Sequence, residues 1–248
     1  MGGAAEDKPG SDGAAEGTPG SDGAQAALLR TLMIVTLVSG LVDAVSYLGL
    51  GRVFTANMTG NVVVIGFAAA GAPGFSAPAS LTSLGAFLIG AICAGRVGAR
   101  VGARRGRLLM LAMVTEAILI GVAATVACTA ATVASGAGRY TVISVLAFAM
   151  GVRNATVRRI AVPDMTTTVL TMTLTGLAAD SSLAGGANKA AARRTSAVAA
   201  MFIGAFAGAA LYLHTGPGLP LVTAAVVVAG AVIAFRLSRA PGLLDAAR

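Results

Sequence analysis

A chain of 248 residues that is 56% apolar, 11% charged and carries a net charge of +8 has too few polar groups to cover its apolar surface in water. That composition excludes a soluble domain and implies an integral membrane protein. The positive surplus is almost all arginine and falls between apolar runs, which suits loops that orient spans and argues against a nucleic-acid partner.

Residues 1–25 are polar and Gly-rich, and they repeat: AAEDKPGSDG from Ala4 is echoed by AAEGTPGSDG from Ala14. Such a segment has nothing to bury and is expected to be a disordered tail. It lacks the basic start and apolar core of a signal peptide. A membrane domain over 26–240 and a short cytoplasmic tail over 241–248 follow.

Eight apolar runs succeed one another: 27–50, 54–71, 79–94, 108–133, 140–152, 165–179, 196–213 and 219–235. Spanning takes about 20 residues, and the second and sixth runs are short and studded with polar side chains. Loop charge decides how to treat them. Arg96, Arg100, Arg104, Arg105 and Arg107 follow the third run, and Arg153, Arg158 and Arg159 close the fifth. Lys189, Arg193 and Arg194 precede the seventh, and Arg236 and Arg239 follow the eighth. Eight full spans cannot put all of these on one face. If the second and sixth runs re-enter instead, every basic loop and both termini become cytoplasmic, and the nearly uncharged loops at 72–75, 135–137 and 214–218 lie outside.

The same assumption makes two halves, about 26–134 and 138–240, of opposite orientation. The expected fold is all-α: six transmembrane helices plus two re-entrant or broken helices in an inverted 3+3 repeat. Two motifs support the repeat. Gly40-Leu-Val-Asp43-Ala44 matches Gly151-Val-Arg153-Asn154-Ala155, and each is followed by a Thr-Gly pair, Thr59-Gly60 and Thr175-Gly176.

These motifs, VDAVSYLGLGRVFTANMTGN and GVRNATVRRIAVPDMTTTVLTMTLTGLAADS, resemble the YoaK family of bacterial membrane proteins (domain of unknown function 1275). The resemblance covers nearly everything after the tail. It implies a six-span protein of the bacterial plasma membrane, and it implies no substrate or reaction. In the family the second motif often reads Gly-x-Gln-Asn-Ala; here Arg153 replaces the glutamine.

Candidate binding residues are those polar groups placed where lipid makes them costly. Asp43 lies midway along the first run and reads as an ion, proton or solute site, or as a partner of Arg153 or a cap on the TANMTGN segment. Thr55, Asn57, Thr59, Gly60 and Asn61 either satisfy a broken helix or coordinate a solute, since both uses need the same groups. Arg153, Asn154, Thr167, Thr168, Thr175 and Gly176 are their second-half counterparts, with Asp164 expected as an N-cap. Glu116, inside the fourth run, reads as a proton-coupling carboxylate or as the partner of an arginine.

Cys93 and Cys128 are isolated, and the single histidine, His214, has no ligand cluster around it, so no metal or cofactor is expected. No P-loop, dinucleotide fingerprint or nucleophile elbow is present, and the chain is read as a non-enzyme. The expected partners are the bilayer and a small polar or ionic solute. Gly204 and Gly208, in GxxxG spacing, serve equally for a homodimer or for packing within the chain. The reading is a transporter or channel-like permease. Its rivals are a non-transporting assembly or sensor subunit and a membrane-embedded enzyme using Asp43 and Glu116.

Overall fold

The structure, a computed structural model, describes residues 19–101, 105–129, 136–160, 170–187 and 190–238. Among these residues the regular elements are all helical. In chain order they are α1 (Pro19–Gly49), α2 (Met58–Ala69), α3 (Ala77–Val101), α4 (Arg105–Ala127), α5 (Gly136–Ile160), α6 (Leu170–Ala179), a single 3-10 turn (Ser182–Ala184), α7 (Ala191–Thr215) and α8 (Gly218–Leu237). The tail expected over 1–25 lies outside the described residues up to 18, and from Pro19 the chain is helical.

Among the described residues six helices are long and apolar enough to cross a membrane: α3, α5, α7 and α8 entire, with 26–49 of α1 and 106–127 of α4. In lipid a helix is the one open-chain element that satisfies its own backbone, so apolar sequence of that length becomes helix almost regardless of residue propensity. The 12 residues of α2 and 10 of α6 give lengths of about 18 and 15 Å at 1.5 Å per residue, well short of a ~30 Å hydrocarbon core.

Packing between helices divides the chain into equivalent halves. α1 packs along α7 as α5 packs along α3, α1 touches α8 as α5 touches α4, α2 leans on α3 as α6 leans on α7, and α4 packs against its own counterpart α8. The matched motifs mark the closest crossings. A side chain on Gly40 would run into the Met201 carbonyl of α7, and one on Gly151 into the Phe87 carbonyl of α3. Reciprocally, Gly204 lies against Leu37 and Gly90 against Phe148, each three residues before the motif glycine. The GxxxG pair is thereby used within the chain, with Gly208 against Leu41, and is closed to a second protomer.

Helix directions settle the number of crossings. Leu37 and Leu41 meet Gly204 and Gly208 in rising order, so α1 and α7 run parallel. Phe148 and Arg159 meet Gly90 and Gly98 likewise, so α3 and α5 run parallel. The start of α8, at Gly218, lies against Cys128 just beyond the end of α4, so those two run antiparallel. Eight full crossings would run α4 and α8 the same way. Six crossings, with α2 and α6 returning to the side they left, run them oppositely, and equivalent helices that run oppositely make the repeat an inverted one.

α1 is the most enclosed span, with 67% of its membrane window inside the protein, whereas α3 and α7 show 28% and 17% and face lipid. One end of the bundle gathers Arg96, Arg100, Arg107, Arg158, Arg159, Arg193, Arg194 and Arg236, through the ends of α3, α5 and α8 and the starts of α4 and α7. The opposite end carries Arg52, Arg139 and His214.

Candidate functional site

The first polar cluster is built where α1 ends. Asp43 stands six residues, about 9 Å, before that end. The chain then leaves the helix through Gly51 and Arg52, both with positive φ (98° and 56°), and folds back into the bundle. Among the described residues Arg52 is the non-glycine residue in the left-handed region, a strain of order 1–3 kcal/mol that the fold-back requires. Its result is that the two amides ahead of α2 point at the carboxylate. The N–H groups of Thr55 and Ala56 donate to Asp43 Oδ1 at 2.9 and 2.8 Å.

Asn61, one turn into α2, clips the same segment from its other side. Its Oδ1 accepts the Phe54 N–H at 2.9 Å, while Nδ2 donates to the Phe54 carbonyl at 2.6 Å and to Ser83 Oγ of α3 at 3.2 Å. Ser83 Oγ in turn donates to the Phe54 carbonyl at 2.6 Å. A backbone broken at membrane depth has its groups satisfied by one carboxylate, one amide and one hydroxyl, all buried. Gly60 lies against the Phe54 ring, which packs tilted by 30° against Tyr47 at 4.8 Å between centroids. Asn57 occupies the N-cap position of α2 without a side-chain bond to it, and Thr59 points outward.

The second cluster joins α1, α4 and α5. Arg153 is fully buried. Its Nη1 donates to Glu116 Oε1 at 2.8 Å and to the Val35 carbonyl at 2.9 Å, and its Nη2 donates to Ser39 Oγ at 2.6 Å. Glu116 is the midpoint of α4 and is equally buried, so the ion pair lies midway along a membrane-length helix. Of the readings open for Asp43 and Arg153, mutual pairing is replaced by two separate arrangements: Asp43 holds the fold-back amides, and Arg153 holds Glu116.

In the second half, Asn154 Nδ2 donates to the Met150 carbonyl at 2.9 Å, one turn back along α5. Gly176 accepts Arg194 Nη1 at 2.7 Å, Arg194 pairs with Asp180 at 2.6 Å, and Thr175 is exposed. Thr167 and Thr168, with Asp164 and Thr166, lie outside the described residues. The structure therefore gathers Asp43, Thr55, Gly60 and Asn61 into one cluster and leaves Thr59 and Thr175 on the surface. Sequence reading missed Ser39, Ser80 and Ser83. A lone serine in an apolar helix normally back-bonds its own carbonyl, and nothing local distinguishes those that reach another helix.

Two hollows lie between α3, α4 and α5, of about 170 and 470 Å³. Their walls are largely apolar, and no residue of either polar cluster lines them.

A family model described as "Protein of unknown function (DUF1275)" matches residues 31–234, which takes in all or most of each span and both polar clusters. This chain belongs to that family. The DUF1275 chain is also 33% identical, over 157 residues, to the UPF0700 transmembrane protein YoaK of Bacillus subtilis (strain 168). That match covers 62% of this chain and 68% of the other. No solved structure matches. It is thus a membrane protein of an uncharacterised family, and its geometry is the main guide to what it does.

Proposed function

We propose that the chain is a permease for a small polar or ionic solute, not an enzyme. It lies in the bacterial plasma membrane with both termini in the cytoplasm. One observation carries the reading: an inverted repeat in which a half-length helix, α2, starts inside the bundle against a buried carboxylate. Broken helices at corresponding places in inverted halves are the arrangement that lets one site face either side in turn. The orientation rests on the basic end of the bundle, which belongs in the cytoplasm.

The non-transporting reading has an observation of its own. Asp43 Oδ1, Asn61 and Arg153 all spend hydrogen bonds on their own chain, which is what a purely structural polar core does. Flux separates the two. Liposomes carrying the purified protein would be mixed in stopped flow with hyperosmotic urea, glycerol, ammonium formate or sodium acetate, and re-swelling followed by light scattering. A permease speeds re-swelling for at least one of these over protein-free liposomes, and Asp43→Ala removes the gain. Rates equal to empty liposomes across the panel would reject the proposal.

A further inference from the structure

Asp43 uses one oxygen of its carboxylate and leaves the other. Oδ2 is buried and has no hydrogen-bond partner. The same is true of Thr55 Oγ1 and of Ser80 Oγ. These are unusual hydroxyls for this protein. Thr36, Ser39, Thr82, Thr141, Ser196 and Thr223 all donate to a carbonyl three or four residues back, the ordinary resting place of a hydroxyl in a membrane helix.

The three oxygens belong to one neighbourhood. Thr55 gives its own N–H to Asp43, so its side chain starts beside the carboxylate. Ser80 lies one turn before Ser83 on the same face of α3, and Ser83 holds the carbonyl of Phe54, the residue preceding Thr55. Three elements around the start of α2, namely α1, the fold-back and α3, thus each carry one unpartnered buried oxygen.

Charge balance names the occupant. The charged groups facing this region from α4 and α5 are Glu116 and Arg153, and they neutralise one another. That leaves Asp43 as one uncompensated negative charge at membrane depth, against which the α2 N-terminus sets only about half a unit of positive charge. A divalent ion would overshoot, and Mg²⁺ in particular gives up its water reluctantly. A small monovalent cation fits a single carboxylate flanked by hydroxyls, and unwound backbone next to a half-helix supplies further carbonyl oxygens of the kind that hold Na⁺. We propose that Asp43 Oδ2, Thr55 Oγ1 and Ser80 Oγ form a buried Na⁺ site. It shares residues with the permease reading and would supply its coupling ion, but occupancy does not depend on flux.

The test is thermal unfolding of the purified full chain in detergent, with NaCl exchanged for KCl or choline chloride at constant ionic strength and pH. The midpoint should rise with NaCl and stay level in the other two salts. Asp43→Asn keeps an oxygen for the Thr55 and Ala56 amides and should abolish the response. Ser80→Ala touches neither of those bonds and should weaken the apparent Na⁺ affinity on the order of tenfold, the equivalent of about 1.4 kcal/mol. An equal response to K⁺, a midpoint that does not move with NaCl, or a full Na⁺ response in Asp43→Asn or in Ser80→Ala would overturn the site. Because no gradient is involved, Na⁺ stabilisation with no liposome flux would reject the permease and keep the site, and the reverse result would do the opposite.

Discussion

The Arg153–Glu116 pair offers the sharpest perturbation. Arg153→Gln removes a guanidinium that makes three hydrogen bonds, to Glu116, Val35 and Ser39, and leaves Glu116 charged, buried and without its cation. Breaking a buried pair from one side costs about 3–5 kcal/mol, and the cost of an uncompensated charge at a bilayer centre, about 2.5–3.5 kcal/mol on insertion scales, is of the same size. Glu116→Gln should cost a similar amount by stranding Arg153. The double variant strands nothing: two amides can bond each other, and the glutamine at 153 still has Val35 and Ser39 in reach. It should therefore be more stable than either single variant.

The assay is reversible unfolding in mixed micelles of rising SDS fraction, followed by helical circular dichroism, for the four proteins of the cycle. The expected coupling is at least as large as one single-variant cost, about 3 kcal/mol or more. Additive costs would refute the reasoning, because they would mean that the two side chains are stabilised independently and that the 2.8 Å contact carries no net free energy.

Other outcomes follow from the same geometry. Gly204→Ala places a methyl group on the Leu37 carbonyl and should cost about 1–3 kcal/mol by overpacking in the same SDS titration, whereas Gly85→Ala, which meets nothing, should be neutral. If Gly204→Ala instead changed oligomeric state with stability intact, the GxxxG pair would be an interface between chains. Asn61→Ala strands the Phe54 N–H and leaves its carbonyl to Ser83 alone, and should cost about 1–3 kcal/mol, most of it from the unpaired N–H. In a background lacking Cys93 and Cys128, Pro73→Cys and Gly136→Cys, both at exposed positions, should react with an impermeant maleimide from one side of the membrane and Ser181→Cys from the other. Labelling of Pro73→Cys and Ser181→Cys from the same side would contradict six crossings.

Much of this architecture was legible because lipid makes a few residues disproportionately informative. Short runs crowded with polar groups, 54–71 and 165–179, and the placement of arginines were enough to separate six spans from two re-entrant helices, since charge at loops and polar groups at depth both have steep free-energy costs. Gly40 and Gly151 were visible as a motif match, and the structure supplies the reason, two equivalent backbone crossings. The partners were not legible. Glu116 and Arg153 are separated by 37 positions in the chain, and which carboxylate an arginine meets depends on helix rotation that the hydrophobic pattern does not fix here. Ser80 and Ser83 look alike in sequence, yet one is bonded and the other is not.

The halves share a scaffold but not a charge. Val42 stands where the second motif has Arg153, and Asp43 where it has Asn154. In an inverted repeat that alternates between outward- and inward-facing states, identical halves would make the two states equal in free energy, because each state is the other with the halves exchanged. Here Arg153 ties α5 to α1 and α4, and no side chain at Val42 can make the reciprocal tie. The exchange is therefore unequal, and the state in which the three-way contact is intact is favoured by whatever the contact contributes. A permease built this way rests facing one side until something offsets that preference. Asp43 is placed to do so: it is the unbalanced charge, it holds the start of α2, and a cation arriving there changes the electrostatics of the first half alone. On this argument Arg153→Gln and Asp43→Asn should shift the resting state by different routes. Thiol labelling at Asn57→Cys, at the start of α2 and outside the proposed ligand set, should change in each, and Na⁺ should modulate it only where Asp43 is retained.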